Sequence, residues 1–250
     1  MQKMCIVLHF LEAYGIIKKQ NNIRFRLGKI MFKTETHLHT AEVSLCGKKR
    51  ALGMVKAYLE AGYSTIFISD HFQKNTLDDL GDAPWEDKIS IFFHGYYRAK
   101  KAGDELGLTV LPAMEICFTD APNHYLVYGI TREILCAYPE LHTYGIERFS
   151  EIAKKHGLFV VQAHPHRDGQ CYPTPQYADG FEVYNSNPRH EDFSEKSVAV
   201  AKEYGLAMIG GSDAHRDEDI AGAGIETEEK IESAEQFVRL VKEGKTRVIR

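Results

Sequence analysis

Two histidines separated by a single residue are the first side chains in this sequence that could do chemistry. His37 and His39 lie in KTETHLH, a segment whose composition predicts a short strand. Because side chains two residues apart on a strand point the same way, both imidazoles would face one side. Such a pair can chelate a borderline divalent cation, although an HxH sequence taken alone also arises by coincidence.

Further polar clusters follow other apolar segments that we predict as strands. They are Asp70-His71, Glu115, His164-Pro165-His166-Arg167 and Asp213-Ala214-His215, and together with His37, His39 and His124 they hold seven of the twelve histidines. A carboxylate after an apolar strand, such as Glu115 after LTVLPAM, is costly unless it is paired or coordinated. A salt bridge at the strand end is the structural alternative for Glu115. The shared position of the clusters at strand ends favours metal binding over a purely structural role.

Apolar strands and amphipathic helices alternate from residue 34 onward. STIFISDH and LFVVQAH are predicted strands, IERFSEIAKKHG is a predicted helix, and residues 87–107 predict one helix that ends at Gly107. This alternation is typical of a parallel sheet covered on both faces. About seven such units without a flexible linker predict a single closed α/β barrel rather than two domains. Because the carboxyl ends of barrel strands share one face, the polar clusters are expected to converge there.

Two or three divalent cations, as zinc, manganese or iron, would suit attack on phosphorus at such a cluster. They can lower the pKa of a bound water to generate hydroxide, polarise the phosphoryl oxygen and stabilise the leaving oxygen. Guanidinium groups match phosphate oxygens with two parallel donors. The candidate substrate-binding residues are His166, Arg167, Arg189 and Arg216, although each arginine could instead be an ordinary surface residue.

The composition narrows the class of protein further. The chain has 250 residues and a net charge of −4, and it lacks a dense Lys/Arg run, so a small phosphorylated substrate is expected rather than a nucleic-acid polymer. Its five cysteines are odd in number and scattered, which disfavours a disulfide framework and favours the cytoplasm. The motifs GxSxG, Walker A and GxGxxG do not occur.

The first thirty residues stand apart from this pattern. The apolar run over residues 4–17 is interrupted by His9 and Glu12 and is shorter than the roughly 20 residues of a membrane span, so no membrane association is expected. Met31 directly precedes the first predicted strand. Residues 1–30 are therefore predicted to be an N-terminal extension or the product of an upstream translation start, and residues 31–250 to be the barrel.

The motifs THLHT, SDH, AMEI, HPHR and GGSDAH, in this order and approximate spacing, resemble those of the PHP (polymerase and histidinol phosphatase) family. The resemblance extends from about residue 33 to the C-terminus. It implies a distorted (β/α)7 TIM-like barrel and a phosphoesterase centre with two or three metal ions.

The resemblance also implies a distribution of ligands. His37, His39 and Asp213 would bind a first metal, Glu115 would bridge it to a second held by His124 and His164, and His71 and His215 would hold a third. Members of the family usually place a His or Asp five or six residues after the HxH pair, where this sequence has Ser44 and Leu45. Glu42 is the nearest carboxylate that could substitute as a ligand.

The hypothesis that follows is hydrolysis of a phosphate ester of a small metabolite or nucleotide by a metal-activated hydroxide. Glu115, Asp213 and His215 would be the catalytic residues. Histidinol-phosphate phosphatase activity is an alternative within the same chemistry. A metal-dependent amidohydrolase and a degenerate metal-binding barrel without activity are alternatives outside it, and a carboxylated lysine at a strand end, for which the sequence shows no obvious candidate, would support the amidohydrolase.

Overall fold

The computed structural model describes residues 30–250, so nearly all of the predicted extension over residues 1–30 lies outside the described residues. The strands in this part are β1 (Phe32–Leu38), β2 (Tyr63–Ile68), β3 (His71–Phe72), β4 (Thr109–Cys117), β5 (His124–Tyr128), β6 (Phe159–Ala163), β7 (Gly180–Asn185), β8 (Ala207–Gly211), β9 (Gly224–Thr227) and β10 (Arg247–Ile249). The α-helices are α1 (Ala51–Glu60), α2 (Lys74–Asp78), α3 (Trp85–Phe92), α4 (His94–Leu106), α5 (Arg132–Ala137), α6 (Gly145–His156), α7 (Ser194–Tyr204) and α8 (Ala234–Lys242). No helix in this part of the chain is long and apolar enough to cross a membrane.

Seven strands form a nearly closed barrel in the order β1-β2-β4-β5-β6-β7-β8. The last strand returns to the first at their carboxyl ends, where Leu38 and Ala214 form a parallel bridge and the Asp213 amide donates to the His37 carbonyl at 2.8 Å. This arrangement confirms the predicted distorted (β/α)7 barrel. It also brings the HxH pair and the SDAH segment together, although 174 residues separate His39 from Asp213.

One barrel strand runs against the expected direction. Strand β5 is antiparallel to both β4 and β6, because the short loop over residues 118–123 joins β4 to β5 without a crossover helix. Its first residue, His124, pairs with Cys117 at the end of β4. The prediction of a uniformly parallel sheet is therefore wrong for β5. As a result, His124 lies at the shared face although it is the first residue of its strand.

Two local features also differ from expectation. The single helix predicted over residues 87–107 is two helices that meet at Phe93, while Gly107 ends the second with the expected left-handed backbone (φ 87°). A Cβ on Gly95 would lie 2.2 Å from Thr40 Oγ1 and 2.4 Å from Asp70 Oδ2, so only glycine lets α4 begin this close to the barrel mouth. Strand β9, which is not predicted from the sequence, pairs antiparallel with β1, and β10 pairs antiparallel with β9.

An apolar layer of aromatic side chains lies between the barrel strands and α8. The rings of Phe67, Tyr128, Phe159 and Phe237 are fully or almost fully buried and contact one another edge-on or tilted. The Tyr128 hydroxyl donates to the Thr36 carbonyl at 3.0 Å, which connects this layer to the strand that carries the histidine pair. The polar residues at the strand ends thus stand on a dry, closely packed support.

Candidate metal centre

Glu115, near the carboxyl end of β4, is the residue around which the histidines converge. Its carboxylate is almost completely buried and lies near five imidazoles: His37 Nε2 at 3.5 Å, His39 Nε2 at 3.5 Å, His71 Nδ1 at 2.7 Å, His124 Nδ1 at 3.0 Å and His164 Nε2 at 3.1 Å. Burial alone would raise the pKa of Glu115, but the neighbouring imidazoles, led by His124 and His71, hold it well below its usual range. The carboxylate is therefore ionised and surrounded by potential ligands.

The HxH pair faces a common point, as its spacing predicts. The Nε2 atoms of His37 and His39 are 3.1 Å apart, and they lie 3.4 Å and 3.1 Å from Asp213 Oδ1. The opposite ring nitrogens are held from behind, His37 Nδ1 by Glu182 Oε1 at 2.9 Å and His39 Nδ1 by Ser44 Oγ at 3.2 Å. Such outer partners orient a ligating imidazole and leave its Nε2 free for a metal.

His71 and His215 join the same group of side chains from two other strand ends. The rings of His71 and His215 both stack with His39, each at a centroid distance of 4.2 Å. His215 Nδ1 is held by the Asp213 carbonyl at 2.8 Å. We refer to His37, His39, His71, Glu115, His124, His164, Asp213 and His215 as the Glu115 cluster.

Unpaired buried atoms show that the cluster suits metal ions. His71 Nδ1 and Glu115 Oε2 are 2.7 Å apart, yet neither is aligned for a hydrogen bond, and His164 Nδ1 is also without a partner. Ligand atoms of three side chains lie within 4.8 Å of one another in each of three sets: His39, His71 and His215; His37, His39 and Glu115; and His71, Glu115 and His124. Mixed imidazole and carboxylate donors of this kind suit zinc, manganese or iron. The residues present therefore fit the divalent cations that the sequence predicts.

Two members of the cluster have an unusual backbone. His164 has φ 31° and Asp213 has φ 53°, in the left-handed region that residues other than glycine seldom adopt. Backbone strain of this kind typically costs about 1–3 kcal/mol and persists where the surroundings enforce it, often at functional sites. Here the His164 amide donates to Glu182 Oε2 at 2.9 Å and the Asp213 amide donates to the His37 carbonyl, so both turns are held by neighbouring strands.

A cavity of about 210 Å³ opens onto the Glu115 cluster, and the three arginines predicted to bind substrate line it. Arg167 pairs with Asp213 through its Nη2, Arg189 forms a two-pronged pair with Asp219 at 2.6 and 2.8 Å, and the side chain of Arg216 is 42% exposed. His166 does not line the cavity, so its predicted role in substrate binding is not supported by its position. Asn187 and His190 line the cavity and were missed by sequence reasoning.

The structure corrects the expectation for Glu42. Its Oε2 accepts a hydrogen bond from the Ala51 amide at 2.9 Å, so this carboxylate caps the start of α1 instead of joining the cluster. Leu45 is exposed, and Cys46 beside it lines the cavity with His71 and His215. Burial alone would raise the pKa of the Cys46 thiol, but hydrogen bonding by His215 and His71 lowers it to about 6.

Glu182 is a further residue that sequence reasoning missed. It lies within β7, holds His37 Nδ1 and the His164 amide, and accepts from Asn185 Nδ2 at 2.9 Å. A carboxylate in the middle of GFEVYN, a strand buried along most of its length, was the signal that could have identified it.

Glu35, beneath the HxH pair, allows a prediction about pH and stability. Burial raises its pKa from 4.5 to about 7, against the backbone amides of Thr36, His37 and Ser212, which donate to Oε1. Because the folded-state pKa is raised, the stabilising protonated form is fully present below pH 4.5 and is lost as the pH rises through 7. Glu35→Gln should gain stability relative to the wild type between pH 5 and pH 8, by about 2 kcal/mol.

Urea unfolding of both metal-free proteins at the two pH values measures this gain. An unchanged gap between the two proteins would show that Glu35 does not titrate in this range.

Comparisons with known proteins agree with this geometry. Residues 193–246 match the family model described as PHP-associated, a segment that includes Asp213 and His215. A two-domain protein from Bacteroides vulgatus containing a predicted PHP-like metal-dependent phosphoesterase has a similar structure, with a TM-score of 0.63 and 17% identity over 93% of this chain and 69% of that one. PsfC from Pseudomonas syringae is also similar, with a TM-score of 0.61 and 17% identity over 88% of this chain and 91% of that one. No curated protein matches the sequence.

A third similar structure bears on the choice of substrate. It is a lesion-specific endonuclease from Pyrococcus furiosus, with a TM-score of 0.55 and 13% identity over 88% of this chain and 58% of that one. At these identities the likeness to solved structures concerns the fold. The family-model match over residues 193–246 agrees with the resemblance to the PHP family that the sequence motifs carry. The expectation that nucleic acid is excluded as a substrate is not supported, because this endonuclease has the same fold.

Proposed function

We propose that this protein is a metal-dependent phosphoesterase that hydrolyses a phosphate ester of a small metabolite or nucleotide. The observation that carries the proposal is the position of Glu115, a buried carboxylate near five imidazoles. Arginines open onto the same cavity. Ligands for cations and donors for phosphate thus meet at one mouth of the barrel.

The side chains divide into holding and orienting groups. His37, His39 and Asp213 would hold one cation, His124 and His164 a second, and His71 and His215 a third, with Glu115 shared between the first two. Cations bound there would supply an activated water and charge stabilisation at phosphorus. Glu182 and Ser44 keep the HxH pair in register through the distal ring nitrogens, at 2.9 and 3.2 Å. Glu115, Asp213 and His215 are the proposed catalytic residues.

The cavity supports a small substrate. Its volume of about 210 Å³ is below the roughly 300–1,000 Å³ of pockets that enclose drug-sized ligands. A phosphate group and a short organic portion would fill it, with Arg167 beside Asp213 in position to bind a phosphate oxygen. Asn187 on the cavity wall is neutral and leaves the rest of the ligand less constrained.

A substrate panel tests this function. We expect purified protein, stripped with a chelator and reloaded with zinc, manganese or iron, to hydrolyse phosphomonoesters such as p-nitrophenyl phosphate, histidinol phosphate or nucleoside monophosphates. The stripped protein should lose at least about 100-fold in rate, because hydroxide is scarce at neutral pH without a cation to lower the pKa of water.

Other members of the panel separate the alternatives. Cleavage of a single-stranded or damaged DNA oligonucleotide in preference to every monoester would assign the protein an endonuclease activity like that of the Pyrococcus protein. Cleavage of N-acyl amides alone would make it an amidohydrolase. Stoichiometric metal binding without hydrolysis of any ester or amide would identify a degenerate barrel.

A further inference from the structure

We propose that Cys46 is a thiolate ligand of the cation held by His71 and His215. The inference rests on the proposed metal centre and assigns it a ligand that neither the family match nor the sequence motifs supply. Cys46, His71 and His215 line one cavity, and the backbone two residues after Cys46 is hydrogen-bonded to His215, the Lys48 amide donating to the His215 carbonyl at 2.8 Å. His71 is 8% exposed, and its Nδ1, which has no hydrogen-bond partner, faces Glu115 at the base of this group.

The two imidazoles need a further donor. Their ring centroids are 5.6 Å apart, and His39, which stacks with both of them, also faces His37 and Asp213. A cation bound by two neutral imidazoles alone keeps its full positive charge, so a third, anionic ligand would strengthen its binding.

Other side chains of the loop over residues 40–50 are already used or point elsewhere. Ser44 Oγ donates to Asp70 Oδ1 at 2.8 Å, contacts His39 Nδ1 and accepts from the His71 amide at 3.1 Å. Leu45 is 57% exposed and has no donor atom. Glu42 caps α1. Within this loop Cys46 is the side chain with a metal-binding atom on the cavity wall.

The backbone of the loop fixes Cys46 beside both histidines. The Gly47 amide donates to the Ser44 carbonyl at 2.8 Å, and a Cβ on Gly47 would lie 2.9 Å from the Thr40 carbonyl oxygen, so the turn that follows Cys46 requires glycine. The Lys48 amide donates to the His215 carbonyl at 2.8 Å. Contacts to Ser44 on one side and to His215 on the other hold the thiol at the rim without a long, flexible connection.

The ligand type predicts which cation binds. A thiolate with two imidazoles favours zinc, cobalt(II) or iron(II) and disfavours magnesium or calcium, which prefer oxygen ligands. The remainder of the Glu115 cluster has only nitrogen and oxygen donors. The cation at Cys46 should therefore be distinguishable from the others by its spectrum.

Cobalt(II) substitution of the full chain tests the proposal. We expect the cobalt-loaded wild type to show a thiolate-to-cobalt charge-transfer band in the near ultraviolet. Cys46→Ala should lose this band and about one equivalent of cobalt, because the remaining imidazoles bind the cation weakly. Cys46→Asp should regain the equivalent without the band. The matched control is Cys136→Ala, on α5 and outside the cavity lining, which should keep both signals.

Two results would overturn the assignment while leaving the metal centre intact. One is a wild type that binds cobalt without a thiolate band, and the other is a Cys46→Ala protein with the wild-type cobalt content and spectrum. A wild type that binds no cobalt, zinc, manganese or iron would overturn the proposed metal centre and the Cys46 assignment together. Because Cys46 is exposed, its replacement should leave the circular dichroism spectrum unchanged, which checks folding.

Discussion

Replacing Glu115 by glutamine should reduce phosphoester hydrolysis by on the order of 10³-fold or more, equivalent to about 4 kcal/mol of lost transition-state stabilisation. Glutamine has nearly the same shape as glutamate but no charge, and its side chain has only one oxygen. In the wild type both oxygens of Glu115 face proposed metal-binding histidines, His164 at Oε1 and His71 at Oε2, so the substitution removes one of two oxygen ligands. The bound metal should fall by at least one equivalent. Steady-state kinetics and elemental analysis of the same preparation measure both effects.

Thermal unfolding separates this loss from a loss of folding. Saturating zinc should raise the Tm of the wild type, because a ligand that binds only the folded state stabilises it, and should raise the Tm of Glu115→Gln much less. Glu151→Gln, on the exposed side of α6, is the matched control and should behave like the wild type. Full activity and metal content in Glu115→Gln would remove Glu115 from the centre.

The convergence of the cluster could be predicted because it follows from simple periodicities. His37 and His39 face the same side although β1 ends at Leu38, because the His39 amide still donates to the Ala214 carbonyl at 2.9 Å. In a barrel the residues after successive strands meet at one face, so Glu115 and Asp213 could be assigned to the same site from their place after apolar segments. Neither step requires knowledge of any side-chain contact.

The placement of His124 in the cluster could be predicted from the resemblance to the PHP family but not from the pattern of the strands. Its strand was expected to run parallel to its neighbours, in which case the first residue of the strand would lie at the opposite end of the barrel. The reversal of β5 brings His124 beside Cys117 and within 3.0 Å of Glu115. Hydrophobic patterning determines that a segment is a strand but carries little information about its direction, which depends on the connecting loop.

The loop after β1 shows where sequence reasoning fails. No periodicity governs residues 40–50, so distance along the chain made Glu42 the apparent substitute ligand. The direction of each side chain there depends on long-range contacts, such as those of Ser44 with Asp70 and of Lys48 with His215. These contacts turn Glu42 towards the Ala51 amide and leave Cys46 at the cavity. They could be found only once the strands were assembled.

Replacing Arg167 by glutamine should weaken the binding of phosphate, as both substrate and product, by about 10- to 100-fold. The guanidinium is largely buried, with 17% of the side chain exposed, and it already binds an anion, the Asp213 carboxylate. A charge-assisted hydrogen bond of this kind contributes about 1.5–3 kcal/mol, which corresponds to that range of affinity. The KM for a phosphomonoester and the inhibition constant of inorganic phosphate should rise together, since both measure binding of the same group.

Arg216→Gln is the control variant for Arg167→Gln, because it removes a more exposed arginine from the same cavity. Arg216 opens onto this cavity, but its side chain is 42% exposed and its nearest acidic partner is Glu218 at 3.8 Å, so solvent screens its charge. Arg216→Gln should change the inhibition constant of phosphate by less than about fivefold, in line with an exposed ion pair of at most about 1 kcal/mol. Equal losses in both variants would indicate a general electrostatic attraction by the cavity. A loss confined to Arg216→Gln would mean that phosphate binds at the rim, away from Asp213 and the Glu115 cluster.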